Sequence, residues 1–116
     1  MTYYITQGCY SPKALAGMLK KPEDRAAAVE KLAAAAGAKL VGYYVTFGEY
    51  DFLVIMESGK GRTELDTMAA LITAGATGGV TNLRTTVAVS SKDSVKAMKA
   101  ASKMVKGFEP AGASGS

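Results

Sequence analysis

Histidine is missing from all 116 residues, and cysteine occurs once, at position 9. The first absence removes the serine–histidine triad and any histidine-held metal or heme from the chemistry open to this chain alone. The second leaves no intrachain disulfide to frame the fold. Long apolar runs are lacking as well. None approaches the roughly 18 residues needed to cross a bilayer, and the opening MTYYITQG has neither the basic nor the apolar segment of a cleavable signal. A cytoplasmic protein without a membrane span is the expectation. The ten carboxylates are scattered, and Glu49 with Asp51 is the one close pair near a motif, so no metal site and no cofactor are expected. Lys and Arg outnumber Asp and Glu by 14 to 10, a net +4 that attracts anions mildly and specifies no nucleic acid.

What is present is a hairpin around which the rest can be arranged. Tyr43 to Met56, YYVTFGEYDFLVIM, holds two strand-like runs split by Gly48-Glu49-Tyr50-Asp51. Upstream, Thr2 to Tyr10 alternates as a first strand. Ser11 then caps a helix with Pro12 at its first position. Leu15, Met18 and Leu19 make an apolar stripe, Pro22 interrupts it, and Val29, Leu32, Ala33 and Ala36 resume it up to Gly37. Ala38–Phe47 and Asp51–Glu57 are the hairpin strands. Thr63, with Asp66 three residues on, opens another helix whose apolar face reads Leu65, Met68, Ala69, Ile72 and Ala76. After Gly78-Gly79, Val80 to Val89 alternates as a fourth strand. The order β-α-β-β-α-β is that of an α+β, ferredoxin-like sandwich: an antiparallel four-stranded sheet with its helices on one face.

An extra C-terminal helix follows, from about Lys92 to Lys106. Lys92, Lys96, Lys99, Lys103 and Lys106 recur at four and three residues as one stripe, opposite Ala97, Met98, Ala101, Met104 and Val105. A docked helix with a solvated lysine face is expected. No aromatic lies within it to stack on bases or to anchor in a membrane interface. The division is thus 1–90 for the sandwich, 91–106 for the helix and 107–116 for a flexible tail.

If β1 turns Tyr4, Thr6, Gly8 and Tyr10 to the side without helices, and β2 turns Tyr44 and Thr46 there, that side combines aromatic, hydroxyl and guanidinium groups, the last from Arg84. A second subunit is expected to close it, giving a homo-oligomer. Two facing sheets would enclose a barrel-like interior able to hold a small, anionic molecule.

The stretch YITQGCYSPKALAGMLKKPEDR, Tyr4 to Arg25, together with FGEYDF, Phe47 to Phe52, resembles the GYD-domain family, whose glycine–tyrosine–aspartate signature would fall on Gly48, Tyr50 and Asp51. The resemblance spans about Tyr4 to Val89. It implies a ferredoxin-like fold of the dimeric α/β-barrel kind and no settled activity. SGKGR, Ser58 to Arg62, departs from it in being more basic and glycine-rich, and the lysine-striped helix lies at its edge.

Three functions of different class remain. One is a binding or sensing module with the ligand in the cleft between sheets, lined by Tyr4, Thr6, Tyr44, Thr46 and Arg84. Another is a cofactor-independent enzyme, oxygenase- or isomerase-like, using Tyr50, Asp51 or Arg84 for acid/base work and anion stabilisation. The third is a structural or interaction protein. Arg84 is the strongest ligand contact of the set, because an arginine in mid-strand needs an anionic partner. Asp51 also has a structural reading, as a turn carboxylate that caps backbone N–H groups, and Cys9 reads as a buried, inert thiol.

Overall fold

A computed structural model describes residues 1–113, so the last part of the expected tail, 114–116, lies outside the described residues. The elements are β1 (Thr2–Tyr10), α1 (Pro12–Lys20), α2 (Ala26–Ala35), β2 (Ala38–Val45), β3 (Phe52–Ser58), α3 (Glu64–Ala76), β4 (Val80–Val89) and α4 (Ser91–Met104), the last continued by a 3-10 turn, Val105–Gly107. The sheet order is β2-β3-β1-β4 with every neighbouring pair antiparallel, which is the ferredoxin-like arrangement.

Local chemistry sets the element boundaries. The Ser11 hydroxyl accepts the Ala14 N–H at 3.1 Å, with Pro12 in the first turn of α1. Pro22 cannot donate to the ladder, and the helical stretch accordingly divides into α1 and α2. Thr63 and Asp66 form a reciprocal capping box at the start of α3. The hairpin reverses at Gly48, whose φ of 145° is one that side-chain-bearing residues rarely adopt.

Packing follows the sequence less closely. Tyr4, Thr6 and Gly8 are buried and stand opposite Met56, Val54 and Phe52 of β3, which are buried too. This is the face that carries the core and the helices, so the expectation that β1 turns these residues to the uncovered side is corrected. Both faces of β1 hold a tyrosine near its start, and alternation alone cannot say which face is covered. The uncovered face carries Tyr3, Ile5 and Gln7 instead, with Cys9, which is half-buried rather than core.

The helices are corrected in the same way. The α3 side chains turned toward the sheet are Thr67, Ala70, Leu71 and Ala74, while Leu65, Met68 and Ile72 are exposed. On α1, Ala14, Gly17 and Met18 face inward and Leu15 and Leu19 outward. No residue of α4 is buried: its first turn is tied to the start of β1, where the Met1 amino group donates to the Asp93 carboxylate at 3.1 Å, and farther along Met98 and Met104 are exposed. The radius of gyration is 18.6 Å, against about 13 Å for a compact domain of this size.

Candidate functional site

Small side chains in the helix layer leave the sandwich incompletely filled. Ala14 and Gly17 of α1, Ala28 of α2 and Ala70 and Ala74 of α3 face the sheet, and between the layers lies a cavity of about 520 Å³. The space is a cleft that opens to solvent past Lys21, Glu23 and Arg25, all of them exposed. Its size is within the range of small-molecule sites. Its floor is apolar: Phe52, Val54 and Met56 of β3, with Val80 and Leu83 of β4.

Two tyrosines from different strands give the cavity a polar point. Tyr10, at the end of β1, and Tyr43, in β2, meet hydroxyl to hydroxyl. Phe52 holds them there, its ring 5.1 Å from that of Tyr10 and 6.2 Å from that of Tyr43, almost parallel to the latter. The pair has two protons and uses one between its members, so the second remains available to an acceptor. Burial, followed by the hydrogen bond and charge of Tyr10, pushes the Tyr43 hydroxyl well above the ordinary tyrosine range; Arg25 pulls it weakly the other way. Tyr43 is thus a hydrogen-bond donor at physiological pH and unsuited to act as a base.

A charged group borders the same space. Lys21, Glu23 and Arg25 lie between α1 and α2, and Arg25 pairs with Glu23 at 3.0 Å. Both partners are roughly half exposed, so the pair contributes little to stability, and the guanidinium can be recruited by another carboxylate. Thr6 reaches the cavity from β1, its hydroxyl 2.9 Å from that of Thr85.

The residues singled out from the sequence do not converge. Thr6 lines the cavity; Tyr4 is buried on the same face of the sheet. Tyr44 and Arg84 lie on the opposite face, at the two ends of one row that runs Tyr44, Leu53, Gln7, Arg84. Three strand spacings separate them, about 14 Å. Thr46, Tyr50 and Asp51 belong to the hairpin turn. The Thr46 hydroxyl donates to the Tyr50 carbonyl at 2.7 Å, and the Asp51 carboxylate accepts the Tyr10 N–H at 2.9 Å. Asp51 is therefore the backbone cap of the structural reading. In the loop 58–62, Arg62 packs over Gly37 and pairs with Asp66 at 3.5 Å.

Sequence reasoning missed Tyr10 and Tyr43 as partners and missed the cavity. A signal existed in the alanine and glycine positions of α1 and α3, which follow helical spacing beside the larger apolar stripes. Among the described residues no group of three or more His, Cys, Asp or Glu could hold a metal ion, and no helix is long and apolar enough to cross a membrane.

A family model described as GYD domain matches residues 4–98, a span that runs into the first half of α4. No curated protein matches the chain. Two solved structures are similar to it. One is a hypothetical protein from Pyrococcus horikoshii, 22% identical, covering 78% of this chain and 92% of its own, with a TM-score of 0.45. The other is described as FFRP-DM1, 22% identical, covering 77% of this chain and 100% of its own, with a TM-score of 0.46.

Proposed function

The chain belongs to the GYD-domain family, and we propose that it binds a small, mostly apolar molecule in the cavity between the sheet and its helices. A carbonyl or ether oxygen of the ligand accepts the spare proton of the Tyr10–Tyr43 pair, and an acidic group sits near Lys21 and Arg25. The observation that carries this reading is the 520 Å³ space with one polar point on an apolar floor: apolar area supplies affinity, and a few placed polar groups supply orientation. The same reading assigns the bare face of the sheet to a second subunit. Ile5, Leu53 and Ile55 are only half-buried there, and an apolar sheet face without helices is a natural interface. Tyr44 and Arg84 then belong to that contact.

Two probes of one shape test the site: 9-fluorenone-2-carboxylate, which has a ketone, and fluorene-2-carboxylate, which has a methylene in its place. Ligand bound to the native state raises the melting temperature by mass action. The ketone should raise it more than the methylene compound, and the double change Tyr10→Phe with Tyr43→Phe, which removes both hydroxyls, should abolish the difference. Equal shifts for the two probes in the native protein, or no shift with either, would discard the site.

A further inference from the structure

The open side of the cleft is bordered by two cations and one anion, Lys21, Arg25 and Glu23. The anion is already engaged, since Glu23 accepts from the Arg25 guanidinium at 3.0 Å. Among the described residues the Lys21 ammonium has no ion-pair partner. The neighbouring carboxylate, Asp24, does not border the space. It accepts the Ala26 N–H at 2.9 Å, at the start of α2. The mouth therefore holds one free cation and one that is occupied.

The local sequence keeps these charges together. Helix α1 ends at Lys20 and α2 begins at Ala26, so all three sit on the link that Pro22 forces between the helices. From Lys21 to Arg25 the chain advances four residues, which reach at most about 14 Å when fully extended. A ligand whose oxygen meets the Tyr10–Tyr43 pair and whose acid points to the open side meets the three charges as a set.

One acid group can pair with Lys21 and leave the protein's own contacts as they are. A second has to draw Arg25 away from Glu23, and the Glu23 carboxylate then stands beside the ligand's negative charge. Two like charges about 4 Å apart cost roughly fivefold in an equilibrium even at the dielectric of water, and more where solvent is partly excluded. We infer that the cleft takes singly charged acids in preference to diacids, and that Glu23 sets this limit by keeping Arg25 occupied. Glu23 is thus a positioning residue that acts through Arg25. The inference rests on the ligand reading above and narrows it from acids in general to monoacids.

Three probes of one ring system test it: 9-fluorenone, its 2-carboxylate and its 2,3-dicarboxylate, with no, one and two charges. Calorimetric titration of the full chain gives a Kd for each, and the two acids are compared relative to the neutral ketone in every variant. The parent should favour the monoacid over the diacid. Glu23→Gln should move the ratio of the two acids toward the diacid by about threefold or more, and Glu23→Asp, which keeps the charge, should restore the parent's order. The change should fade at about 1 M salt, where charges are screened within about 3 Å. Lys21→Gln should weaken the monoacid more than Arg25→Gln does. A diacid that binds the parent as tightly as the monoacid, a ratio unmoved by Glu23→Gln, or a monoacid weakened more by Arg25→Gln than by Lys21→Gln would overturn the inference and leave the ligand site standing. Failure of all three probes to bind the parent would discard the site itself, and the inference with it.

Discussion

Asp51 holds Tyr10 through the backbone: its carboxylate accepts the Tyr10 N–H at 2.9 Å, while its own N–H donates to the Gly8 carbonyl at 2.8 Å. The aspartate of the family signature thus ties the hairpin turn to the end of β1. It also positions Tyr10 for its partner Tyr43. Replacing it with alanine leaves a partly buried N–H unpaired, and the expected loss is about 2 kcal/mol, the size of a charge-assisted hydrogen bond. Asp51→Asn keeps an acceptor and should lose roughly half as much. Urea unfolding of the two variants measures both; equal stability of Asp51→Ala and the parent would refute the clasp.

Gly8 sits where β1 passes Phe52 and Leu83. A Cβ there would come within 2.7 Å of each of those side chains. Gly8→Ala should therefore destabilise by about 1 to 3 kcal/mol through overpacking, and it should weaken any cavity ligand, because Phe52 also sets the two tyrosine rings. The midpoint of denaturant unfolding, together with the probe-induced thermal shift, reads both effects.

The Tyr43 hydroxyl predicts a pH dependence on the alkaline side. Its acidity is lowered in the folded state, so the folded protein holds this proton where the unfolded chain has released it. Stability from this group is complete below about pH 10, the ordinary tyrosine value, and is lost as pH rises above it. Lysines and other tyrosines titrate in the same window, so the measurement is a difference. The fall of melting temperature with pH above 10 should be shallower in Tyr43→Phe than in the parent. Parallel curves would mean that the hydroxyl is no more shielded than in the unfolded chain.

Ala74 offers a test that separates binding from folding. It faces the cavity from α3 and has room in front of it. Ala74→Leu should fill part of that space and stabilise by about 0.5 to 2 kcal/mol, as cavity-filling changes commonly do. The probe-induced thermal shift should disappear at the same time. A variant that binds the ketone probe as well as the parent would place the ligand elsewhere.

Much of the architecture is written in local patterns. Ser11-Pro12, Pro22, the Thr63–Asp66 box and the glycine of the hairpin each act on their own few residues, and each sets the boundary or turn its chemistry implies. Strand β4 runs from Val80 to Val89, the stretch whose alternation marks it. The candidate site was far less legible. Tyr4 and Thr6 share a face with the core, Tyr44 and Arg84 share the other, and Asp51 serves the backbone. Tyr10 and Tyr43 are 33 residues apart and become partners only because β3 lies between their strands and Phe52 between their rings.

By itself, then, the sequence determined the order of strands and helices, the helix ends and the family, since each depends on spacing, capping or short motifs. Tertiary structure alone decided which side of β1 is covered and which stripe of α3 turns inward. Period two and period 3.6 divide a strand or a helix into faces without ranking them. The ranking comes from what the neighbouring elements can cover. Here the helices present alanine and glycine to the sheet, leaving a space inside and larger apolar side chains outside.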